Sequence, residues 1–100
     1  MKKTLSTEEI HTLLQDQPGW KLDQGKLIRE WTFSDFVEAM VFVNKVAELA
    51  ESAGHHPDID VRYNRVLLTL ISHDAGGITE RDASMAGRIN KAFGAIESRR

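Results

Sequence analysis

Residues 58–71, DIDVRYNRVLLTLI, decide the fold because they contain two strand patterns joined by a short turn. The first half alternates polar and apolar residues, which predicts a strand with Ile59, Val61 and Tyr63 on one face. After a turn at Asn64, the second half is rich in β-branched and aliphatic residues, which is typical of a strand buried on more than one side. The stretch therefore predicts an antiparallel hairpin.

A short helix and another hairpin are predicted near the start of the chain. An S-x-x-E capping box at residues 6–9 begins the helix, and Pro18-Gly19 ends it. Strand-like runs at residues 20–22 and 26–33 then flank Asp23-Gln24-Gly25, where glycine supplies the positive φ of a tight turn.

Two longer helices are predicted on either side of the 58–71 hairpin. Ser34 caps the first, Gly54 lies just past its end, and Pro57 prevents the helix from resuming. Its apolar stripe comprises Phe36, Met40, Val43, Ala47 and Ala50. A capping box at Thr79 and Asp82 begins the last helix. Its apolar face comprises Ala86, Ile89, Ala92, Phe93 and Ile96.

The predicted element order is α-β-β-α-β-β-α. Two hairpins separated by a helix predict an α+β fold, with a four-stranded antiparallel sheet and three helices packed on one face. A chain of 100 residues has room for a single domain, spanning residues 1–100. One helical layer leaves sheet edges and an outer face open, which predicts a homo-oligomer, most simply a two-fold dimer.

Composition narrows the function classes. Lys and Arg number 13 against 15 Asp and Glu, and the net charge of -2 gives no electrostatic reason to bind nucleic acid. The absence of cysteine from the sequence excludes disulfides, thiolate metal sites and thiol nucleophiles. Because no window approaches the ~18 apolar residues that span a bilayer, we expect a cytoplasmic protein without membrane contact.

Histidines are the strongest chemical signal. His55 and His56 follow the central helix, and His73 follows the last predicted strand, whereas His11 lies within the first helix. Element ends are where a rigid scaffold presents reactive groups. Because imidazole titrates near pH ~6.5, such a cluster can perform acid and base steps together.

Three alternatives compete with acid/base chemistry at these residues. The histidines can be loop residues that cap helix carbonyls or point into solvent. A zinc site would recruit Glu51, Asp58 or Asp74, but the familiar ligand spacings are absent from the sequence. A serine hydrolase is disfavoured because the sequence has no G-x-S-x-G elbow.

Three stretches carry a multi-part pattern: Glu51-Ser52-Ala53-Gly54-His55-His56-Pro57, Tyr63-Asn64-x-Val66 and Ser72-His73-Asp74-Ala75-Gly76-Gly77-Ile78-Thr79-Glu80-Arg81-Asp82. Together they resemble the pterin-4a-carbinolamine dehydratase family, whose motif is E-K-x-x-H-H-P, Y-x-x-V, T-H and G-[LI]-[ST]-x-x-D. The similarity covers nearly the whole chain, although Ser52 replaces the motif's lysine, Ser72 its threonine, and Gly54 a residue that is often polar in the family.

The resemblance implies a hydro-lyase that removes water from 4a-hydroxytetrahydropterin and gives the quinonoid dihydropterin. Aromatic amino acid hydroxylases release this carbinolamine, so the resemblance also implies pterin recycling and a functional link to such an enzyme. It further implies an α+β subunit and homo-oligomers of two or four. The implied chemistry needs no metal or organic cofactor.

The resemblance also suggests roles for individual residues. His55 and His73 match the acid/base pair, His56 a group that orients the substrate, and Glu51 a support for the cluster. The implied substrate-binding set is Glu51, Gly54, Pro57, Ser72, Asp74 and Trp20. For Trp20 a purely structural role in the core is an equal alternative. Asp82 belongs to the motif, but its place in the Thr79 capping box already explains it, so we expect a structural role.

The sequence also allows a function other than catalysis. Some relatives on this scaffold are non-enzymatic interaction modules, such as transcriptional coactivators or enzyme-assembly factors. A module of that kind has no need of an imidazole cluster. Retention of His55, His56 and His73 therefore favours the dehydratase.

Overall fold

The structure is a computed structural model that describes residues 3–98. Within that range the predicted order of elements, α-β-β-α-β-β-α, is confirmed. The predicted domain of residues 1–100 extends two residues beyond the described range at each end. The elements are α1 (Thr7–Asp16), β1 (Lys21–Asp23), β2 (Lys26–Thr32), α2 (Phe36–Ala53), β3 (Asp58–Arg62), β4 (Arg65–Leu70) and α3 (Glu80–Glu97).

The four strands form one antiparallel sheet in the order β1-β2-β4-β3. Along the central strand β4, every second side chain points toward the helices. These are Val66, Leu68 and Leu70, which are fully buried, as expected for a strand with one covered face. These side chains share one hydrophobic cluster with apolar residues of all three helices. The predicted arrangement of three helices on one face of the sheet is therefore confirmed, and β1 and β3 form the edges.

The β3–β4 hairpin differs from the prediction at Tyr63. Ile59 and Val61 lie opposite Leu68 and Val66, on the face that the helices cover, as expected. Tyr63 does not share that face, because it lies in the turn with φ of 55° and is 66% exposed. Two-residue hairpin turns need positive φ to match the twist of the strands, and Tyr63 supplies it.

The prediction for the buried face of α2 was wrong by part of a turn. The helix buries Ala39, Phe42, Val46 and Ala50, whereas Phe36 of the predicted stripe is 49% exposed. Phe42 decides the orientation, because its ring centroid lies 4.8 Å from that of Trp31 and 5.3 Å from that of Phe33. Since α2 is apolar on two sides, periodicity alone allows both orientations, and aromatic packing selects one.

The start of α2 also differs by one residue. The N-cap is Asp35, whose carboxylate accepts a hydrogen bond from the Glu38 backbone N–H at 2.8 Å. Ser34, the predicted cap, instead donates its hydroxyl to the Glu38 side chain at 2.6 Å. Both residue types cap helices well, so the sequence could not separate two adjacent candidates.

The end of α2 depends on a glycine in the left-handed region. Gly54 has φ of 64° and ψ of 30°, and this geometry ends the helix immediately before His55 and His56. A Cβ at Gly54 would meet no other described atom within 4 Å, so only the backbone conformation opposes a side chain there.

We expect Gly54→Ala to lower the free energy of unfolding by about 1–2 kcal/mol, because alanine in the left-handed region is strained. Gly94→Ala is the matched control, since Gly94 lies inside α3 and has equal space around it. It should raise stability by about 0.5–1 kcal/mol through helix propensity. Urea unfolding measures both, and effects of the same sign would contradict this account of the α2 terminus.

Candidate active site

The candidate site is built around His55, which follows the glycine that ends α2. Its side chain is only 10% exposed, and Nε2 lies 2.6 Å from Asp82 Oδ1. Asp82 is fully buried near the start of α3, although it stands 27 residues away in the chain. The fold therefore brings the end of α2 and the beginning of α3 together through one histidine–carboxylate bond.

The other oxygen of Asp82 completes the contact. Oδ2 accepts hydrogen bonds from the Ser72 hydroxyl at 2.8 Å and from the Thr79 backbone N–H at 2.9 Å. Because a carboxylate that accepts on both oxygens has no hydrogen to donate, we assign the hydrogen of the shared bond to His55 Nε2. The Nδ1 atom of His55 is thereby left as the ring nitrogen available for proton exchange.

Asp82 has a second role that sequence reasoning missed. The predicted capping box is confirmed, because the Thr79 side chain and the Asp82 side chain satisfy each other's backbone N–H groups. The same carboxylate also holds His55, so the helix cap and the candidate site share one residue. The family motif that ends in Asp82 could have indicated a functional role for this residue. Because the capping box already accounted for Asp82 locally, its contact with the distant His55 was not predicted.

Ser72 connects the second histidine-bearing stretch to this contact. Its side chain is buried, with the hydroxyl oxygen 2.8 Å from Thr79 Oγ1 as well as from Asp82 Oδ2. His73 follows directly and is exposed. Hydrogen bonds thus connect His55 to Ser72 through Asp82, whereas no hydrogen bond among residues 3–98 involves the His73 side chain.

His56 lies in a different environment from His55. Its side chain is 60% exposed, and Nε2 lies 2.5 Å from Glu51 Oε2 on the last turn of α2. An exposed pair of this kind contributes little to stability. The contact places the His56 ring beside the Glu51 carboxylate at the end of α2.

The remaining residues of the predicted substrate-binding set occupy distinct places. Gly54 ends α2, and Pro57 is buried just before β3. Asp74 Oδ1 accepts from Arg81 Nη2 at 2.5 Å, which ties the loop after β4 to α3. Trp20 is 4% exposed in the core, where its ring packs edge-on against Trp31 and its N–H donates to Asn90. For Trp20, these contacts favour the structural alternative.

A surface depression of about 420 Å³ opens beside His55, between the end of α2 and the first half of α3. That volume lies within the range of small-molecule sites, which is about 300–1,000 Å³. Its lining is Ser52, Ala53, His55, Glu80, Arg81, Ser84, Met85 and Arg88.

Two further findings concern metal and membrane. Across residues 3–98, the His, Asp and Glu side chains form no group of three that could hold a metal ion. None of the helices in that same part of the chain combines the length and the apolar character needed to cross a bilayer.

Comparison with known proteins decides the family. The family model for pterin 4 alpha carbinolamine dehydratase matches residues 3–92. The chain belongs to this family. A dehydratase-family protein of Acidobacterium capsulatum is 59% identical over 85% of this chain and 92% of its own length. Another, from Koribacter versatilis, is 54% identical over 91% of this chain and 97% of its own. The names of both place them among the pterin-4-alpha-carbinolamine dehydratases.

Solved structures agree with this membership of the pterin-4a-carbinolamine dehydratase family. A crystal structure described as a transcriptional coactivator/pterin dehydratase from Brucella melitensis has a TM-score of 0.86 and 34% identity, and the match covers 90% of this chain and 98% of that one. A pterin dehydratase-like protein described as a RuBisCO assembly factor of the α-carboxysome has a TM-score of 0.65 at 24% identity, over 77% and 92%. The second likeness concerns the fold alone.

Proposed function

We propose that this chain dehydrates 4a-hydroxytetrahydropterins by histidine acid/base catalysis. The observation that carries the proposal is the buried contact of His55 with Asp82, which Ser72 and the Thr79 backbone complete. A carboxylate in this position fixes the tautomer of an imidazole and stabilises its protonated form. Membership of the dehydratase family supplies the substrate class.

The reaction needs one proton delivered and one removed. An acid protonates the 4a-hydroxyl, the C4a–O bond breaks and water leaves. The N5 lone pair then forms the C4a=N5 bond, and a base takes the N5 proton. We assign these two steps to His55 and His73, one on each side of the flat ring, while His56 and Glu51 orient the substrate. The protons balance, because the acid loses one and the base gains one.

Residues around the two histidine stretches would bind the ring. In this proposal the backbone near Gly54 and Asp74 hydrogen-bonds the pterin edge, Pro57 keeps the chain rigid after His56, and Ser72 holds the Asp82 carboxylate. No metal or organic cofactor takes part. Pterin recycling, a link to an aromatic amino acid hydroxylase and a cytoplasmic location stay predictions from the sequence.

A coupled assay tests the activity. The carbinolamine is generated in situ by a pterin-dependent hydroxylase, and its loss is followed by absorbance with and without the purified chain. We expect the chain to accelerate this loss well above the spontaneous rate. If the rate stays at the spontaneous value, the alternative of a non-enzymatic interaction module replaces the dehydratase proposal. That alternative leaves the buried contact of His55 with Asp82 unexplained.

The open edge strand β3 supports the proposed homo-oligomer. Ile59 is 40% exposed there, although it lies on the helix-covered face. Antiparallel pairing of two β3 strands about Asp60 would set Ile59 opposite Val61 and Asp58 opposite Arg62 of the partner subunit, twice by symmetry. The two Asp60 carboxylates would meet at the axis, each already 3.3 Å from its own Arg62 Nε. In this register apolar side chains face each other on one face, and each Asp58 faces an Arg62 on the other.

We expect Ile59→Lys to lower the native mass at micromolar concentration, because it sets a cation in place of the apolar contact on each side of the axis. Sedimentation equilibrium measures the mass. The matched control is Leu22→Lys on the other edge strand, where Leu22 is 47% exposed. A monomeric parent, or equal masses for both variants, would contradict the β3 interface.

A further inference from the structure

We propose that the depression beside His55 has a cationic end that binds an anionic group on the pterin side chain, either a phosphate or a carboxylate. This inference rests on the proposed dehydratase function and adds the substrate class. Arg88 is the residue that would bind the anion. It lines the same depression as His55 and is exposed on α3.

The face of α3 that borders the depression carries two guanidinium groups and a hydroxyl. Arg81, Ser84 and Arg88 stand at positions i, i+3 and i+7, which places them in one row along the helix. Arg81 is engaged with Asp74 at 2.5 Å, so its charge is largely compensated. For Arg88, the described part of the chain shows no ion pair, which leaves its charge available to a ligand.

The uncompensated charges of the lining lie at different positions along α3. Among the lining residues Arg81 pairs with Asp74 and His55 with Asp82, which leaves the charges of Glu80 and Arg88, eight residues apart on α3. Glu80 also borders the neighbouring groove between α1 and α3, together with Glu9 and Asp16. The acidic side chains thus lie on the Glu80 side of the depression, and Arg88 stands at the far end of its row on α3.

The distance along α3 between Asp82 and Arg88 suits contact of Arg88 with the side chain of the pterin rather than with its ring. Arg88 stands six residues after Asp82, the carboxylate that holds His55, which corresponds to about 9 Å along the axis at 1.5 Å per residue. A pterin whose reacting C4a lies near His55 would reach Arg88 only with a substituent that projects from the ring. An unpaired guanidinium adds little for a neutral, flat ring, but it forms charge-assisted hydrogen bonds with phosphate or carboxylate.

Ser52 and Ser84 complete the polar end of the depression. One lies on the last turn of α2 and the other on α3. Hydroxyl groups donate readily to anionic oxygens. The two helices together thus offer Arg88 and two hydroxyls on opposite walls of one depression.

The test compares the carbinolamines of three tetrahydropterins, with a neutral hydroxylated side chain, a phosphorylated side chain and a carboxylate-terminated side chain. For the parent protein, we expect the KM of at least one anionic substrate to be about fivefold lower than that of the neutral one. Arg88→Gln should raise the KM of that substrate about fivefold, so that the values converge. Whichever anionic substrate has the lower KM with the parent protein identifies the preferred anion as phosphate or carboxylate.

Lys91→Gln is the matched control, since it removes the same charge from the same helix but lies outside the lining. It should keep the parental ratio of KM values, whereas added salt should reduce that ratio by screening. Equal KM values for all three substrates in the parent, or equal effects of both substitutions, would overturn the anion site while leaving the dehydratase intact. Failure of the parent to convert any carbinolamine would overturn both proposals.

Discussion

Replacing His55 with alanine is expected to lower kcat for carbinolamine dehydration by about 10²–10⁴-fold, because one acid/base group typically supplies that much rate. The effect should fall on kcat more than on KM, since His55 acts on the proton that moves in the transition state. The coupled assay with a purified, folded variant measures both constants. We expect a comparable loss for at least one of His56→Ala and His73→Ala.

His11→Ala is the control for this series, because His11 lies on α1 outside the candidate site. It removes an imidazole without touching the contact of His55 with Asp82, so parental kcat is expected. If the three site variants all match the parent, the acid/base assignment is wrong. Far-ultraviolet circular dichroism confirms that each variant retains its fold.

The second large effect is expected at Asp82, where a single carboxylate serves both stability and catalysis. Asp82→Asn should lower the free energy of unfolding by about 2–4 kcal/mol, because it weakens the capping box and leaves a buried polar group badly paired. It should also lower kcat. The amide presents its N–H₂ to His55 Nε2 once its oxygen accepts from Ser72 and Thr79, and this forces the opposite imidazole tautomer.

Both readouts are needed to separate the two roles of Asp82. Urea unfolding gives the stability term, and the coupled assay at a temperature where the variant is folded gives kcat. Asp23→Asn is the control, since it neutralises an exposed carboxylate in the β1 turn region. A loss of stability with parental kcat would leave Asp82 as a helix cap alone and would remove it from the positioning of His55.

The sequence predicted the order of elements because local signals agreed with the global packing. Capping boxes at Ser6 and Thr79 begin two helices, and Gly54 ends a third. Alternation of polar and apolar residues predicted the strand that contains Ile59. Each of these signals acts within a few residues. The structure confirmed them for that reason.

Features that depend on distant partners were harder to predict. The buried face of α2 depends on how Phe42 packs against Trp31, and no local pattern contains that contact. Similarly, the partnership of His55 with Asp82 joins residues 27 positions apart. The sequence could identify both residues within one motif, but only the fold places them 2.6 Å apart.

We propose that the histidines of two separate stretches border a single pterin site. An oxidised pterin serves as product analogue in the test. It is titrated into uniformly ¹⁵N-labelled protein, and the imidazole signals are followed in ¹H–¹⁵N NMR spectra. We expect the signals of His55, His56 and His73 to shift together with one saturation curve, while those of His11 stay in place. Shifts at His11 alone, or an unmoved His55 at saturating ligand, would contradict the account.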